Sequence, residues 1–469
     1  MRTGESRQPG TQPWRIMAGL KRRFRVVSPQ TLLVFSFAVV IIVGSLLLML
    51  PWSRTGGEAD YLTALFISTS AVCVTGLIVV DFPTYYSTFG QVVVLVLIQL
   101  GGLGVMTGAA LLFRAMGKRL SLGSQAALQD SLLQMGRAAD FRGIFRWILI
   151  LTFSIEALGA TILFAGFSLE NGPRDAVFPA LFQAVSAFCN AGFSTFSDSL
   201  MGYRGQPLIV WTVMVLIVLG GLGAAVLVEI TERTVRSRRP TVPISGRRFS
   251  LHTHTVLVAT AILIVAGAGA LLVLGLTPGE TGVGEWIEAA LFQSITARTA
   301  GFNTISVGAL PVTSLLFLIF LMFVGGSPGS CAGGIKTTTA VVWVSEVWSS
   351  VRRRDEVVLF DRAIKSSIVR RAALLINLAV GWNFLGVLLL MRFQSMERSG
   401  VMDLFFEQIS AFGTVGLSTG VTPDLSGPSQ LWIIATMFVG RLGPLVLTAW
   451  VLGTERRAVR HADGRVLIG

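Results

Sequence analysis

Four short stretches of this chain carry the residue types that can replace the water around a cation with backbone oxygen. They are Val74-Thr75-Gly76, Asn190-Ala191-Gly192, Thr299-Ala300-Gly301 and Thr414-Val415-Gly416. Dehydrating a cation is costly unless other oxygens take over its shell, and charged side chains are expensive at membrane depth. Extended backbone can turn successive carbonyls toward an axis, with glycine supplying angles that β-branched residues resist. Each stretch closes a recurring line that opens at Ala64-Leu65-Phe66, Ala180-Leu181-Phe182, Ala290-Leu291-Phe292 or Leu404-Phe405-Phe406. Phe and Gly are spaced alike in copies one, two and four (66/76, 182/192, 406/416), and copy three is one residue shorter (292/301). A short helix pattern ending in small or hydroxyl residues and a glycine is the chemistry of a re-entrant pore loop. The competing reading makes these glycines ordinary contacts between membrane helices. Four recurrences at matching places argue against it.

Such loops need apolar helices to hold them. Hydrophobic residues make up 52% of the chain, charged residues 13%, and mean hydropathy is +0.71, values that exclude an ordinary soluble domain. Stretches long enough to cross a bilayer lie near 31–51, 89–113, 145–167, 207–230, 253–275, 313–345, 370–391 and 429–452. The expected fold is an all-α integral membrane protein of four helix–pore loop–helix repeats, eight crossings in all. The repeats run 28–114, 145–232, 250–346 and 368–454, between a basic N-terminal segment, 1–27, and a tail, 455–469. No small-residue cleavage site follows the first apolar run, which ends Leu50-Pro51-Trp52, so it reads as an anchor helix.

Eight crossings put both termini on one face. Lys21 to Arg25, Lys118, Arg119, Arg233 to Arg248, Arg352 to Arg354, Arg370, Arg371 and Arg456 to Arg460 collect there, which makes it cytoplasmic. The opposite loops hold Glu58, Asp60, Asp81, Glu170, Asp175, Asp198, Glu280, Glu285, Glu288 and Asp424, an acidic vestibule that would concentrate cations. The formal charge of +13 thus reads as topology and contact with anionic membrane lipid rather than nucleic-acid binding.

The sixth crossing is interrupted by Gly325-Gly326-Ser327-Pro328-Gly329-Ser330-Cys331-Ala332-Gly333-Gly334, followed by Lys336. Helix must break there, and unwound backbone at membrane depth needs a protein- or water-lined setting, which places it in the pore below the loops. A carrier with its substrate site at a broken helix is the rival reading, and the single break counts against it. Arg441 lies within the last crossing, where a lipid-facing arginine would cost about 2.5–3.5 kcal/mol, so it is expected to face the pore or the glycine segment. Gly101-Gly102-Leu103-Gly104 and Gly220-Gly221-Leu222-Gly223 follow no strand and lack the Lys of a phosphate loop, so they read as close helix packing. Cys73, Cys189 and Cys331 read as small packing residues rather than a redox pair, His252 and His254 as interfacial, and Asn377 and Trp382 as packing. No ATPase or other catalytic constellation is present in the sequence, so no enzyme activity and no covalently bound cofactor are expected.

In these repeats the chain resembles the ion-conducting membrane subunit of the Trk/Ktr/HKT superfamily of potassium transporters, over about residues 28–455. With eight crossings it is more similar to the KtrB branch than to the ten-helix TrkH branch. The resemblance implies a pseudo-tetrameric, potassium-channel-like pore whose selectivity filter is Val74, Thr75, Gly76, Asn190, Ala191, Gly192, Thr299, Ala300, Gly301, Thr414, Val415 and Gly416. It implies a gate of Gly325, Gly326, Ser327, Pro328, Gly329, Ser330, Gly333, Gly334, Lys336 and Arg441. Potassium is the implied substrate, held by filter carbonyls alone, with sodium as a coupling or activating ion. Sodium-selective plant relatives place serine where this chain has Gly76, which favours potassium. Also implied are a homodimer, a separate cytoplasmic ring of nucleotide-binding subunits and a bacterial inner-membrane location. A sodium or sodium/potassium coupled carrier and a nonconducting scaffold remain as alternatives.

Overall fold

The computed structural model describes residues 29–56, 59–104, 141–236, 249–275, 282–394 and 400–453. The N-terminal segment 1–27, the tail 455–469 with His461, Lys118, Arg119, Glu58, Glu280 and the Arg238–Arg248 part of the basic loop lie outside them.

Helices occupy the described parts of all eight apolar stretches. The first repeat comprises α1 (Pro29–Leu48), α2 (Tyr61–Val72) and α3 (Thr88–Leu103). The second comprises α4 (Phe141–Asn171), α5 (Pro173–Phe188), α6 (Pro207–Leu222) and α7 (Ala224–Arg236). The third comprises α8 (Leu251–Leu274), α9 (Val283–Thr296), α10 (Val312–Phe323) and α11 (Thr337–Val351). The fourth comprises α12 (Ser366–Phe393), α13 (Val401–Gly413) and α14 (Gly427–Gly453). A two-residue ladder, β1 (Val358–Leu359) with β2 (Arg362–Ala363), joins α11 to α12.

Among the described residues, three helices are long and apolar enough to cross a membrane by themselves: α8, α12 and the Arg146–Glu170 part of α4. The pair α6 and α7 makes a fourth span, bent by 101°. Shorter apolar helices lie at Val34–Leu48, Tyr61–Val72, Thr88–Leu103 and Val312–Phe323. Their outer faces carry Phe35, Leu158, Val265, Phe320 and Phe384 exposed, side chains that belong against acyl chains and mark a membrane protein.

The short helices α2, α5, α9 and α13 are buried, each between the outer and inner helix of its own repeat or its neighbour. α3 packs on α5, α6 on α9, α10 on α13 and α14 on α2, so the inner helix of every repeat touches the short helix of the next and the order closes. Asp60 caps α2, accepting from Leu62 N at 3.2 Å and Thr63 N at 3.0 Å, and the Thr63 hydroxyl bonded to it holds its carboxyl below the usual range.

Two expectations need correction. The sixth crossing breaks over residues 324–336 as its glycines dictate, but it is not the only broken one. α6 gives way to α7 at Gly223, whose φ of 87° no helix admits. Two broken helices, not one, face each other, so the count of breaks does not disfavour a midplane carrier. Asn377 is exposed on α12 rather than packed, and Asn383 holds the buried polar position, accepting from Gln408 Nε2 at 3.3 Å. Trp382 does pack, stacked on Trp432 at 5.0 Å, and His254 meets Phe360 edge-on at 4.3 Å beside the β1–β2 turn.

The Gly-Gly-Leu-Gly runs are close packing, with a definite partner. A Cβ on Gly101, Gly220 or Gly440 would fall inside contact distance of the Val72, Phe188 or Phe412 carbonyl, at the end of the short helix of the same repeat. Backbone cannot yield as a flexible side chain does. Gly220→Ala should therefore lower stability by roughly 2–4 kcal/mol, with loss of monodisperse protein in detergent. Gly269→Ala, which meets nothing within 4 Å on α8, is the matched control and should leave the thermal midpoint unmoved.

Candidate functional site

Each short helix ends in the same backbone signature. Val74, Asn190, Thr299 and Thr414 adopt left-handed φ values of 56°, 58°, 81° and 49°. Two residues on, Gly76, Gly192, Gly301 and Gly416 do so again at 90°, 70°, 78° and 90°. A β-branched residue in this region costs on the order of 1–3 kcal/mol, and three of the first four are β-branched. The surrounding structure imposes that strain at Val74, Thr299 and Thr414, and the same backbone at Asn190, which tolerates it.

The four glycines meet in a closed ring. A Cβ on Gly76 would stand 2.5 Å from Ala191 O and 3.0 Å from the Gly192 Cα, and one on Gly192 2.8 Å from Ala300 O and 3.0 Å from the Gly301 Cα. One on Gly301 would strike Val415 O, and one on Gly416 would strike Thr75 O. Thus the carbonyl preceding each glycine faces a glycine of the neighbouring repeat. All twelve residues of the proposed filter lie together at this ring, with Val74, Thr75, Asn190, Thr299 and Thr414 buried.

Hydroxyls within the short helices brace the turns. Ser70 Oγ accepts from Gly76 N at 3.0 Å. Ser410 Oγ accepts from Gly416 N at 3.2 Å and donates to Leu417 O at 2.6 Å. Ser186 Oγ donates to Phe193 O and Thr296 Oγ1 to Phe302 O, both at 2.7 Å. The missing residue of copy three falls just after its hydroxyl. Thr75, Ala191 and Val415 donate backbone bonds five residues back, to Ser70, Ser186 and Ser410, whereas Ala300 reaches only four, to Thr296. Arg298 stands where the other copies have Val72-Cys73, Phe188-Cys189 and Phe412-Gly413.

These hydroxyls stand at a fixed distance from the repeat's Phe, a signal in the sequence beyond the glycines themselves. Glu407, missed from sequence, is buried behind the fourth turn and accepts from Thr422 Oγ1 at 3.0 Å and from Ser418 Oγ. Gln183 occupies the equivalent place in copy two, donating to Ser194 Oγ at 2.6 Å. Glu156, an acid inside the apolar run of α4, was missed as well. It accepts from Gln99 Nε2 at 3.2 Å.

The glycine segment lies beside the ring and reaches all four repeats. Gly325 sits against Thr299 Cγ2, and Gly333 against the side chain of Thr414. Ser327 N donates to Gly221 O at 3.1 Å and Cys331 N to Gly220 O at 3.4 Å, while Gly334 N donates to Gly440 O at 3.3 Å. The bend at Gly223 frees Leu222 O and Ala224 N. Ser327 Oγ donates to the first, and Gly329 O accepts from the second at 3.2 Å, so the two broken helices satisfy one another. Ser330 Oγ donates to Ser327 O at 2.7 Å within the segment, next to Pro328 and Gly326. Lys336 closes it as the residue before α11, its ammonium donating to Ala332 O.

Arg441 joins the pieces. It is buried on α14, with one guanidinium nitrogen donating to Cys331 O in the segment and the other to Gly101 O at 2.9 Å on α3. The guanidinium is thus held between backbone carbonyls of the glycine segment and α3, next to the ring.

Comparison with known proteins followed the same outline. A family model described as "TrkH: Cation transport protein" matches residues 10–454. The Ktr system potassium uptake protein B of Bacillus subtilis is 36% identical over 94% of this chain and 97% of its own length. The protein of the same name in Vibrio alginolyticus is 35% identical over 93% and 94%. The potassium/sodium uptake protein NtpJ of Enterococcus hirae is 33% identical over 97% and 100%. The crystal structure of the potassium transporter TrkH from Vibrio parahaemolyticus shares the fold, with a TM-score of 0.69 over 92% of this chain and 86% of that one at 19% identity.

Proposed function

This chain belongs to the TrkH family of cation transport proteins, and from that premise we propose that the ring of glycines is its selectivity filter and the glycine segment with Arg441 its gate. The protein is a membrane transporter that takes up potassium. Eight crossings wrap four pore loops into one pseudo-tetrameric, potassium-channel-like pore, with both termini cytoplasmic in a bacterial inner membrane. The observation that carries the filter assignment is the fourfold backbone signature, left-handed at 74/76, 190/192, 299/301 and 414/416. Left-handed backbone kept at four equivalent places, strained at three of them, marks a site whose carbonyl positions matter.

Entry runs down the electrochemical gradient. An interior-negative potential contributes about 2.3 kcal/mol per charge per 100 mV, enough to accumulate potassium without hydrolysis. Below the filter the segment and Arg441 block the path, and flow requires the segment to move. A cytoplasmic ring of nucleotide-binding subunits, bound to the basic face near Arg352 to Arg354, would speed that movement above the basal opening of the chain alone, and a homodimer would carry one pore per protomer. A second reading, sodium-coupled or mixed sodium/potassium uptake, draws support from the likeness to NtpJ, whose name includes both ions.

Expression in a bacterium lacking its own potassium uptake systems tests the function. Growth at low potassium should return without added sodium, whereas growth that needs sodium favours the second reading. Arg441→Ala removes the charge and both carbonyl contacts. It should raise rubidium uptake in proteoliposomes about tenfold if the lost contacts hold the segment by about 1.4 kcal/mol. Unchanged uptake by folded variant would remove Arg441 from the gate.

A further inference from the structure

Cys189 and Cys331 are far apart in sequence and read there as separate packing residues, but the fold sets their sulfurs side by side. Cys189 ends the short helix α5, and Cys331 lies in the glycine segment. A Cβ on Gly102 would stand 2.7 Å from Cys189 Sγ and 3.5 Å from Cys331 Sγ, so both sulfurs crowd one point on α3. Cys331 Sγ donates to Gly102 O at 3.8 Å, on the same turn of α3. Around them stand Gln99, with Oε1 at 3.6 Å from Cys189 Sγ, and Glu156, with Oε1 at 3.9 Å. Both cysteines are free and buried.

We propose that Cys189 and Cys331 form a disulfide-competent site that ties the glycine segment to the second short helix when the chain meets a two-electron thiol oxidant. Two S–H bonds break, one S–S bond forms, and two electrons with two protons pass to the oxidant. A peroxide leaves as water, and the N=N bond of diamide becomes a hydrazine. The Arg441 guanidinium, bonded to Cys331 O, stands beside the pair and fixes the backbone that carries Cys331. Only a glycine at position 102 leaves room for both sulfurs, and closeness of the two side chains is a precondition for a bridge.

The consequence for transport rests on the gate reading above, and the bridge itself does not. A segment fixed to α5 cannot leave the ring, so the oxidised chain should not conduct.

The experiment treats the full chain in proteoliposomes with diamide, then maps disulfides by peptide mass spectrometry and measures rubidium flux on the same sample. Expected are a linked peptide pair containing Cys189 and Cys331, loss of flux, and return of both to the starting state with dithiothreitol. Cys331→Ser should abolish the linked pair and the oxidant sensitivity together, and Gly102→Ala should suppress linkage by driving a methyl against Cys189 Sγ. Absence of the linked pair, while alkylation after unfolding finds both thiols reduced and intact, would overturn the proposal. A linked pair with undiminished flux would uphold the site and instead overturn the gate reading.

Discussion

Removal of Gly329 to Gly334 is expected to raise rubidium flux through the chain alone by about ten- to a hundredfold, since each 1.4 kcal/mol of lost restraint is a factor of ten in an equilibrium. The deleted residues supply the contacts of Gly329 O with Ala224 N, Cys331 N with Gly220 O, Gly334 N with Gly440 O, and Cys331 O with Arg441. Each such bond contributes about 1 kcal/mol net, more for the one that involves the guanidinium. Their sum is the restraint that holds the segment beside the ring. Flux of well-folded deletion protein equal to wild type would show that the segment does not limit conduction.

The second large effect is expected at Gly76. A serine there must take a φ near 90° and place its Cβ 2.5 Å from Ala191 O, so it faces both a backbone penalty and a collision with the neighbouring repeat. Relief comes only by moving Thr75 or Ala191, whose carbonyls lie in the ring. Gly76→Ser should therefore degrade the preference for potassium over sodium about tenfold, read as the ratio of inhibition constants against rubidium uptake, for a loss of about 1.4 kcal/mol of discrimination. The same substitution at Gly284, which meets nothing within 4 Å, should leave selectivity unchanged. Retained selectivity in Gly76→Ser would count against the filter assignment.

Much of this was legible in the sequence because repetition supplies its own control. The matched spacing of Phe66, Phe182 and Phe406 to their glycines, with Phe292 one residue nearer its own, places four equivalent turns, and the structure gives all four the same left-handed pair of residues. The break at Gly325–Gly334 followed from composition, since glycine and Pro328 cannot continue a helix. Less visible was the bend at Gly223. Gly220-Gly221-Leu222-Gly223 and Gly101-Gly102-Leu103-Gly104 look alike, yet the first breaks at its last glycine while Gly104 keeps helical angles, with φ −60°. The difference is tertiary: the carbonyl and amide freed at Gly223 find Ser327 and Gly329, partners that local sequence does not reveal.

The same limit hid the pairing of Cys189 with Cys331 and of Arg441 with Gly101 O, contacts between repeats that arise only when the ring closes. Internal alignment reaches part of the way. Arg441 occupies, in Gly440-Arg441-Leu442-Gly443, the position held by Gly102 and Gly221, so the fourth repeat carries a cation where the first two carry hydrogen. Asn377 was misassigned because a polar residue in an apolar run draws attention regardless of its face, and its exposure on α12 was not encoded in type alone.

The most direct test of the central claim, that the four glycine turns form one potassium-selective pore, is rubidium uptake into proteoliposomes holding only this chain, with potassium and sodium as competitors, wild type beside Gly76→Ser. Uptake blocked by potassium far below the sodium concentration needed, with that gap narrowed in Gly76→Ser, is the predicted result. Uptake equally sensitive to both ions in wild type, or a gap that Gly76→Ser leaves intact, would contradict it.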